Sequence, residues 1–359
     1  MRIAIIGAGM TGASAAYALT AAGAEVVVFD KGRGPGGRMS SKRVQLSQNE
    51  SADYIQLDLG AQYFTARHPW FYQAVQQWQQ QGVVQRWEFE PHVWQHGLLL
   101  PSDDGQRRFV GTPAMHQLVR TALGTVKQCY NCRINELSFS QSGFSSQHAG
   151  EWTLSSEDGA SYAGFDAVIL TCPPEQSRQL VAAHPLAAQI PQTLLLPCWA
   201  VALQLAEAVQ HPAEGIFVKD GWLSWCARNN AKPARRGSPE HWILHLSANS
   251  SQELLEATPE QVTAVAQQQF SQIIGQVLQV ESAVCHRWLY ASYNGEQPPP
   301  GILSDPQQRL ILAGDWSLGG RVENAWLAGV MAAHQLLPEQ VAAPDLSAAV
   351  ADSMLGPQH

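Results

Sequence analysis

The opening 41 residues constrain this chain more than any other stretch. Arg2-Ile3-Ala4-Ile5-Ile6 reads as a buried strand, and Gly7-Ala8-Gly9-Met10-Thr11-Gly12 turns it into a small-residue helix over 13–22 that stops at Gly23. A second strand, 25–29, ends on Asp30, with Lys31 after it. Gly7 permits the tight turn, Gly9 lets backbone approach a pyrophosphate, and Gly12 lets helix and strand pack closely. Unpaired N–H groups at the helix start, including those of Met10 and Thr11, favour an anion. Asp30 suits a bidentate hydrogen bond to a ribose diol. Strand, helix, second strand and acid together predict a dinucleotide site.

The dinucleotide is expected to be FAD. Gly34-Pro35-Gly36-Gly37-Arg38-Met39-Ser40 places flexible backbone and a guanidinium where the second half of a long dinucleotide runs, with Arg38 bridging its phosphates. A second signature lies near the other end: Leu310-Ile311-Leu312-Ala313-Gly314-Asp315, then Gly319-Gly320-Arg321-Val322-Glu323-Asn324-Ala325. Asp315 closes a strand and is placed to bind the ribityl chain or a phosphate-held water. A helix starting near Val322–Asn324 points its N–H groups at the N1–C2=O edge of a flavin and stabilises the anionic reduced form. No cysteine falls between Leu310 and Met331, so FAD is expected to be noncovalent.

The 359 residues suffice for two domains with substantial cores. A net charge of −8 argues against nonspecific binding to nucleic acid or an anionic membrane. No apolar run approaches the ~20 residues of a membrane helix. The N-terminal strand has no basic region or cleavage site before it, so it is expected to be retained and the protein cytoplasmic. No metal site is expected. Cys129 and Cys132 form a C-x-x-C, but it follows a strand over 125–128 and lacks the helix N-terminus that lowers a thiol pKa, so the unreactive reading is preferred.

The fold class expected is α/β: a Rossmann-type FAD-binding domain (1–67, 107–183 and 306–343) interleaved with a smaller α+β substrate domain carrying an antiparallel sheet (68–106 and 184–305), and a tail over 344–359. Helices are expected over 68–81, 112–123 (Thr112 as N-cap, Pro113 at the first position) and 259–278, and a strand over 53–60 approaching Gly60-Ala61-Gln62-Tyr63-Phe64. Lys219, Arg228, Lys232, Arg235 and Arg236 form a basic cluster in an otherwise acidic protein. It is read either as a mobile segment that draws in a pyrophosphate-bearing substrate or as a solvated loop. Gln62, Tyr63, His245, Trp288 and Tyr290 are the polar-tipped side chains expected at the flavin face. His245 is equally a candidate hydrogen-bonded core histidine.

The two end signatures together resemble the flavin amine oxidase superfamily with its p-hydroxybenzoate-hydroxylase-like fold. Within it, Lys31–Ser40, Asp58-Leu59-Gly60-Ala61-Gln62-Tyr63-Phe64, Arg287-Trp288, Tyr290-Ala291 and Ala313-Gly314-Asp315-Trp316 resemble the renalase family, particularly its bacterial branch, over roughly residues 1–337. The resemblance implies that the Ile134 backbone meets the adenine. It also implies an oxidase of misreduced nicotinamides, the 2- and 6-dihydro isomers of NAD(P)H, passing a hydride to FAD and then reducing O₂ to H₂O₂ to give NAD(P)⁺. The residues agree in one respect: there is a single dinucleotide fingerprint, so a nicotinamide reaches the flavin as substrate. Two alternatives stay open, a flavin amine oxidase or desaturase of a small or apolar substrate, and a flavoprotein without turnover.

Overall fold

The computed structural model describes residues 1–45, 54–141 and 150–348. A six-stranded sheet runs in the order Leu303–Asp305, Leu310–Leu312, Ala167–Leu170, Arg2–Ile6, Glu25–Phe29, Lys127–Cys129, parallel except at the first strand. Its central strands read as nearly continuous apolar runs because both faces are covered. On one face Ile3, Ile5, Val26 and Val28 pack under the helices Met10–Ala21 and Val322–Leu336. Those helices meet closely at Gly329, where a Cβ would lie 2.0 Å from Ser14 Oγ and 2.2 Å from Thr11 O. On the other face Ala4, Val27, Phe29 and Leu170 pack on Trp152, Leu154 and Phe165 of a three-stranded sheet.

A seven-stranded sheet forms the second layer, in the order Val280–Tyr293, Leu195–Leu205, His241–Leu246, Leu223–Arg228, Gly215–Val218, Pro91–Gln95, Leu98–Pro101. Its pairings are antiparallel except that Gly215–Val218 runs parallel to Pro91–Gln95. Side chains alternate between its faces. Val201, Leu203, Trp242 and Leu244 pack under the helix Pro259–Ile274, whereas Ala200, Ala202 and Ile243 pack on Ile55, Leu57 and Leu59. The second contact carries the chain from Tyr54–Leu57 to Gly60 between the two sheets, and so positions the site.

Three elements differ from their sequence readings. The helix expected over 112–123 spans only Gln117–Leu123, because the Thr112 hydroxyl donates to Gly82 O at 2.7 Å instead of capping. The helix from Pro259 stops at Ile274, where Gly275 turns left-handed (φ 65°). The helix Pro69–Gln80, expected with the second layer, packs Phe71 on Trp326 and Phe64 in the core beneath the six-stranded sheet. The expected strand start at Asp53 and the tail beyond residue 348 lie outside the described residues.

Candidate active site

A cavity of about 970 Å³ runs between the two sheets, near the upper end of the ~300–1,000 Å³ typical of small-molecule sites. At one end it is lined by Gly7, Gly9, Met10, Thr11, Asp30, Lys31 and Ile134. Gly7 sits at φ 117°, and a Cβ there would lie 2.5 Å from Thr171 Oγ1. A Cβ on Gly12 would lie 2.0 Å from Gly7 O, so Gly12 serves the strand–helix junction from behind the cavity wall. Gly9 begins the helix with no side-chain cap and open space where a Cβ would stand. Bare N–H groups on open space suit an anion. Asp30 accepts from Ala8 N and Gly32 N, both at 2.6 Å, and its carboxylate keeps further lone pairs for a diol.

Mid-cavity the wall consists of Gly37, Arg38, Met39, Gly60, Ala61 and Asp315. Arg38, expected to bridge phosphates, stands on the cavity wall with its fork engaged by Asp315. Both Nη atoms donate to the Asp315 carboxylate, and Nη1 also reaches Ala291 O at 3.1 Å. This arginine ties together the sheet end, the loop after the first fingerprint and the edge strand of the second layer. The Arg38 carbonyl accepts from Ala61 N at 2.9 Å. A Cβ on Gly60 would lie 1.9 Å from that oxygen, so only glycine fits. Arg321 (φ 76°) and Val322 line the cavity where the last helix starts, again without a side-chain cap.

Several expected contacts are supporting residues instead. Gly314 packs behind the wall, where a Cβ would lie 2.3 Å from Trp316 Nε1. Glu323 accepts from Arg67 N (2.5 Å) and His68 N (2.8 Å), and Asn324 donates to Leu318 O, so both side chains fasten loops. Tyr63, expected at the flavin face, is drawn against Trp225 (5.5 Å between centroids) with the Arg108 guanidinium 5.1 Å from its ring. Gln62 is also off the cavity wall: its Nε2 donates to Asp58 O and to Gly60 O (3.1 Å), and its Oε1 accepts from Lys232 Nζ at 3.0 Å.

The far end is lined by Cys198, Ser224, His245, His286, Arg287, Trp288 and Tyr290. Leu59 O accepts from Trp288 Nε1 at 3.1 Å and lies 3.0 Å from His245 Nε2. A carbonyl only accepts, so Nε2 carries the His245 proton. Burial pushes His245 down to about 4, with Lys232 adding to it and the Leu59 carbonyl opposing, so the ring is neutral at ordinary pH. His286 stands edge-on to Trp288 at 4.2 Å. It was missed in the sequence although 286, 288 and 290 share a face at strand spacing.

Behind the Gly60 segment is a buried ionic cluster that takes Lys232 and Arg235 out of both readings of the basic run. The side chains of Asp58 and Lys232 are 0% exposed and that of Arg235 1%. Asp58 Oδ2 accepts from Arg235 Nη2 at 2.7 Å and Nε at 3.3 Å, and from Lys232 Nζ at 3.4 Å. Burial alone pushes the Asp58 carboxyl up, but Lys232 and Arg235, helped by the Ser41 hydroxyl, hold it at about 2. Burial pushes the Lys232 ammonium down to about 8, against the pull of Asp58. Lys219 and Arg236 are exposed, while Arg228 lies 3.9 Å from Glu240. Burial pushes the Cys129 thiol up, away from a reactive dithiol. Among the described residues no cluster of three metal-ligating side chains occurs, and no helix is long and apolar enough to cross a membrane.

Residues 94–337 match the model of the flavin containing amine oxidoreductase family, and residues 5–78 match an NAD(P)-binding Rossmann-like domain. A cyclohexylamine oxidase from Brevibacterium oxydans IH-35A superposes with a TM-score of 0.69 at 14% identity, covering 94% of this chain and 99% of that one. A protein described as a protoporphyrinogen oxidase, from Exiguobacterium sp. 255-15, gives 0.70 at 13% identity with the same coverage. A triple mutant of putrescine oxidase gives 0.65 at 11%, covering 94% and 98%. These likenesses show a shared fold. The family match spans more than half the chain: the protein belongs to the flavin-containing amine oxidoreductases and is an FAD-dependent oxidoreductase.

Proposed function

We propose that this flavin-containing amine oxidoreductase is an oxidase of misreduced dihydronicotinamide dinucleotides, the 2- and 6-dihydro isomers of NAD(P), as the renalase-like segments imply. When bound, FAD would supply a two-electron acceptor for the substrate's hydride, with O₂ and one proton from water as the co-reactants that give H₂O₂ beside NAD(P)⁺. The observation that carries the reading is the far end of the cavity, where Cys198, Ser224, His245, His286, Trp288 and Tyr290 offer no carboxylate to an alkylammonium. Among the cations of the wall Arg38 is paired with Asp315, Arg133 with Glu157, and the Arg287 guanidinium turns to Leu255 O and the Trp199 ring, which leaves Lys31 and Arg321 for a pyrophosphate-bearing substrate.

The side chains there position and exclude water; they do not move protons. A dihydropyridine yields its hydride without losing a proton, so the site requires alignment and not a tuned base. His245 and Trp288, fixed on one carbonyl, supply a rigid neutral wall. Gly9, Met10, Thr11 and Asp30 hold the adenosine and pyrophosphate; Gly60, Ala61, Arg321 and Val322 border the place assigned to the isoalloxazine. The binding is assigned as noncovalent. The boundaries 1–67, 107–183 and 306–343 for FAD binding, and 68–106 and 184–305 for substrate, are likewise part of this reading, apart from the helix Pro69–Gln80, which packs in the core beneath the six-stranded sheet.

The second reading, oxidation of a primary amine, draws support from the fold shared with cyclohexylamine and putrescine oxidases. Anaerobic mixing separates the two. Dihydro-NAD(P) isomers should bleach the flavin within the mixing experiment at a rate varying little between about pH 6 and 9, and cyclohexylamine and putrescine should not. Bleaching by the amines alone would replace this reading with the second.

A further inference from the structure

Lys232 is an unusual residue to find with no exposed surface, because a buried ammonium needs compensation. It has three neighbours of consequence. Its Nζ donates to Gln62 Oε1 at 3.0 Å and to Asp58 Oδ2 at 3.4 Å, and it stands 5.5 Å from the centroid of the Trp87 ring. Gln62 relays the contact, since its Nε2 donates to Gly60 O. Gly60 lines the cavity, so Lys232 stands one glutamine side chain behind the cavity wall. Asp58 is shared with Arg235, so two cations face one carboxylate in a dry layer between the sheets.

We propose that Lys232 is a positioning residue for the flavin: through Gln62 it fixes the Gly60 carbonyl, and with Arg235 and Asp58 it holds one net positive charge behind the isoalloxazine that raises the flavin's reduction potential. This rests on the reading above that the ring lies against Gly60–Ala61. A unit charge roughly 10 Å away through an effective dielectric of about 20 shifts an equilibrium by about one order of magnitude. The charge favours the reduced, more anionic cofactor.

The effect carries a pH signature. The groups facing Lys232 are Asp58 and Arg235. Across the sheet His245 feels its charge, and His116 feels the charges of Arg120, Asp58, Arg235 and Arg43. Asp58 stays ionised above about 2 and His245 neutral above about 4. Burial lowers His116, so in the alkaline range it is neutral. An arginine guanidinium carries its charge throughout this range. Lys232 is then the group of this cluster that changes charge near neutrality, at about 8. Below that pH the cluster carries one net positive charge, and above it none.

The test is the midpoint potential of the holoenzyme, poised with a reducing dye system and read from pH 6 to 10, beside K232M and K232R. At pH 6–7 the wild type and K232R should bind the reduced flavin about tenfold more favourably, relative to oxidised, than K232M does. That is about 30 mV for a two-electron couple. Above pH 8 the wild type should fall to the K232M value while K232R stays high. Equal potentials for wild type and K232M at pH 6–7, at matched FAD content, would overturn the proposal. So would an offset that is constant with pH and shared by K232R, which is what mere loosening of the wall produces. Should K232M fail to retain FAD, divergence of the wild type from K232R above pH 8 reads the same quantity, and coincidence there refutes it. No substrate enters the measurement, so its outcome is separate from whether dihydronicotinamides are oxidised.

Discussion

Asp30 and Asp58 bracket the loop that carries the first half of the site, yet they are satisfied in opposite ways. Asp30 accepts two backbone N–H groups, from Gly32 two residues on and Ala8 at the start of the fingerprint. Asp58 accepts from Ser41, Met115, Lys232 and Arg235, side chains and backbone drawn from as far as 177 residues away. The first carboxylate faces the cavity and keeps capacity for a ligand; the second faces protein alone and holds the wall up. The end assigned to the adenosine is thus a local backbone device, and the end assigned to the flavin a product of tertiary assembly.

The sharpest way to break this contrast is Asp58→Asn. Removing one partner of a buried ion cluster leaves uncompensated charge and costs about 3–5 kcal/mol of stability, read by chemical denaturation of the FAD-loaded protein. The same carboxylate sets an acid limb. The fold holds it at about 2 against the ordinary 3.8, so its contribution is complete above 3.8 and disappears as the pH falls through about 2. It amounts to about 2 kcal/mol, and Asp58→Asn should flatten that limb. A variant as stable as wild type, with the limb unchanged, would mean that the cluster does not hold the layers together.

Asp30→Ala sharpens the other side. Loss of a charge-assisted hydrogen bond to the ribose should weaken FAD binding by about 1.5–3 kcal/mol, roughly ten- to a hundredfold in Kd. The apoprotein's stability should change less than in Asp58→Asn. If unfolding of the apoprotein moves as much as FAD affinity, Asp30 is a structural aspartate like Asp58, and the division between the ends fails.

Legibility followed the same division. Gly7, Gly9, Gly12 and Asp30 could be placed from the sequence because their partners lie within one strand–helix–strand unit and because glycine marks close backbone approach regardless of context. Asp315 and Arg321 are placed near the cavity by a second local signature, but the partnership of Arg38 with Asp315 spans 277 residues and is visible in neither signature alone. Gln62 and Tyr63 were assigned to the flavin face from proximity to Gly60. Sequence order could not show that Lys232 lies behind Gln62, or that Trp225 and Arg108 draw Tyr63 aside. The basic run was the largest loss. Composition reads a lysine and two arginines around a proline as solvated, and only the pairing of the second sheet against Ile55–Leu59 reveals the carboxylate they meet.

Arg236 is the smallest test and the one closest to that loss. It adjoins Arg235 in the chain, yet it is exposed and donates through Nε to Ser238 O at 2.8 Å, a bond within its own loop. Surface substitutions away from such clusters usually stay within about 0.5 kcal/mol. Arg236→Gln should therefore leave stability nearly unchanged, and KM for a dihydronicotinamide dinucleotide should move by less than about twofold at physiological ionic strength, where exposed charges are screened beyond roughly 8 Å. Steady-state kinetics at two salt concentrations give the decisive comparison. A severalfold rise in KM at low salt that fades as salt is added would show that this run draws in the substrate from outside, as well as bracing the wall from within. The adjacent arginines would then serve the two ends of the site by different physics, one through the dry interior and one through water.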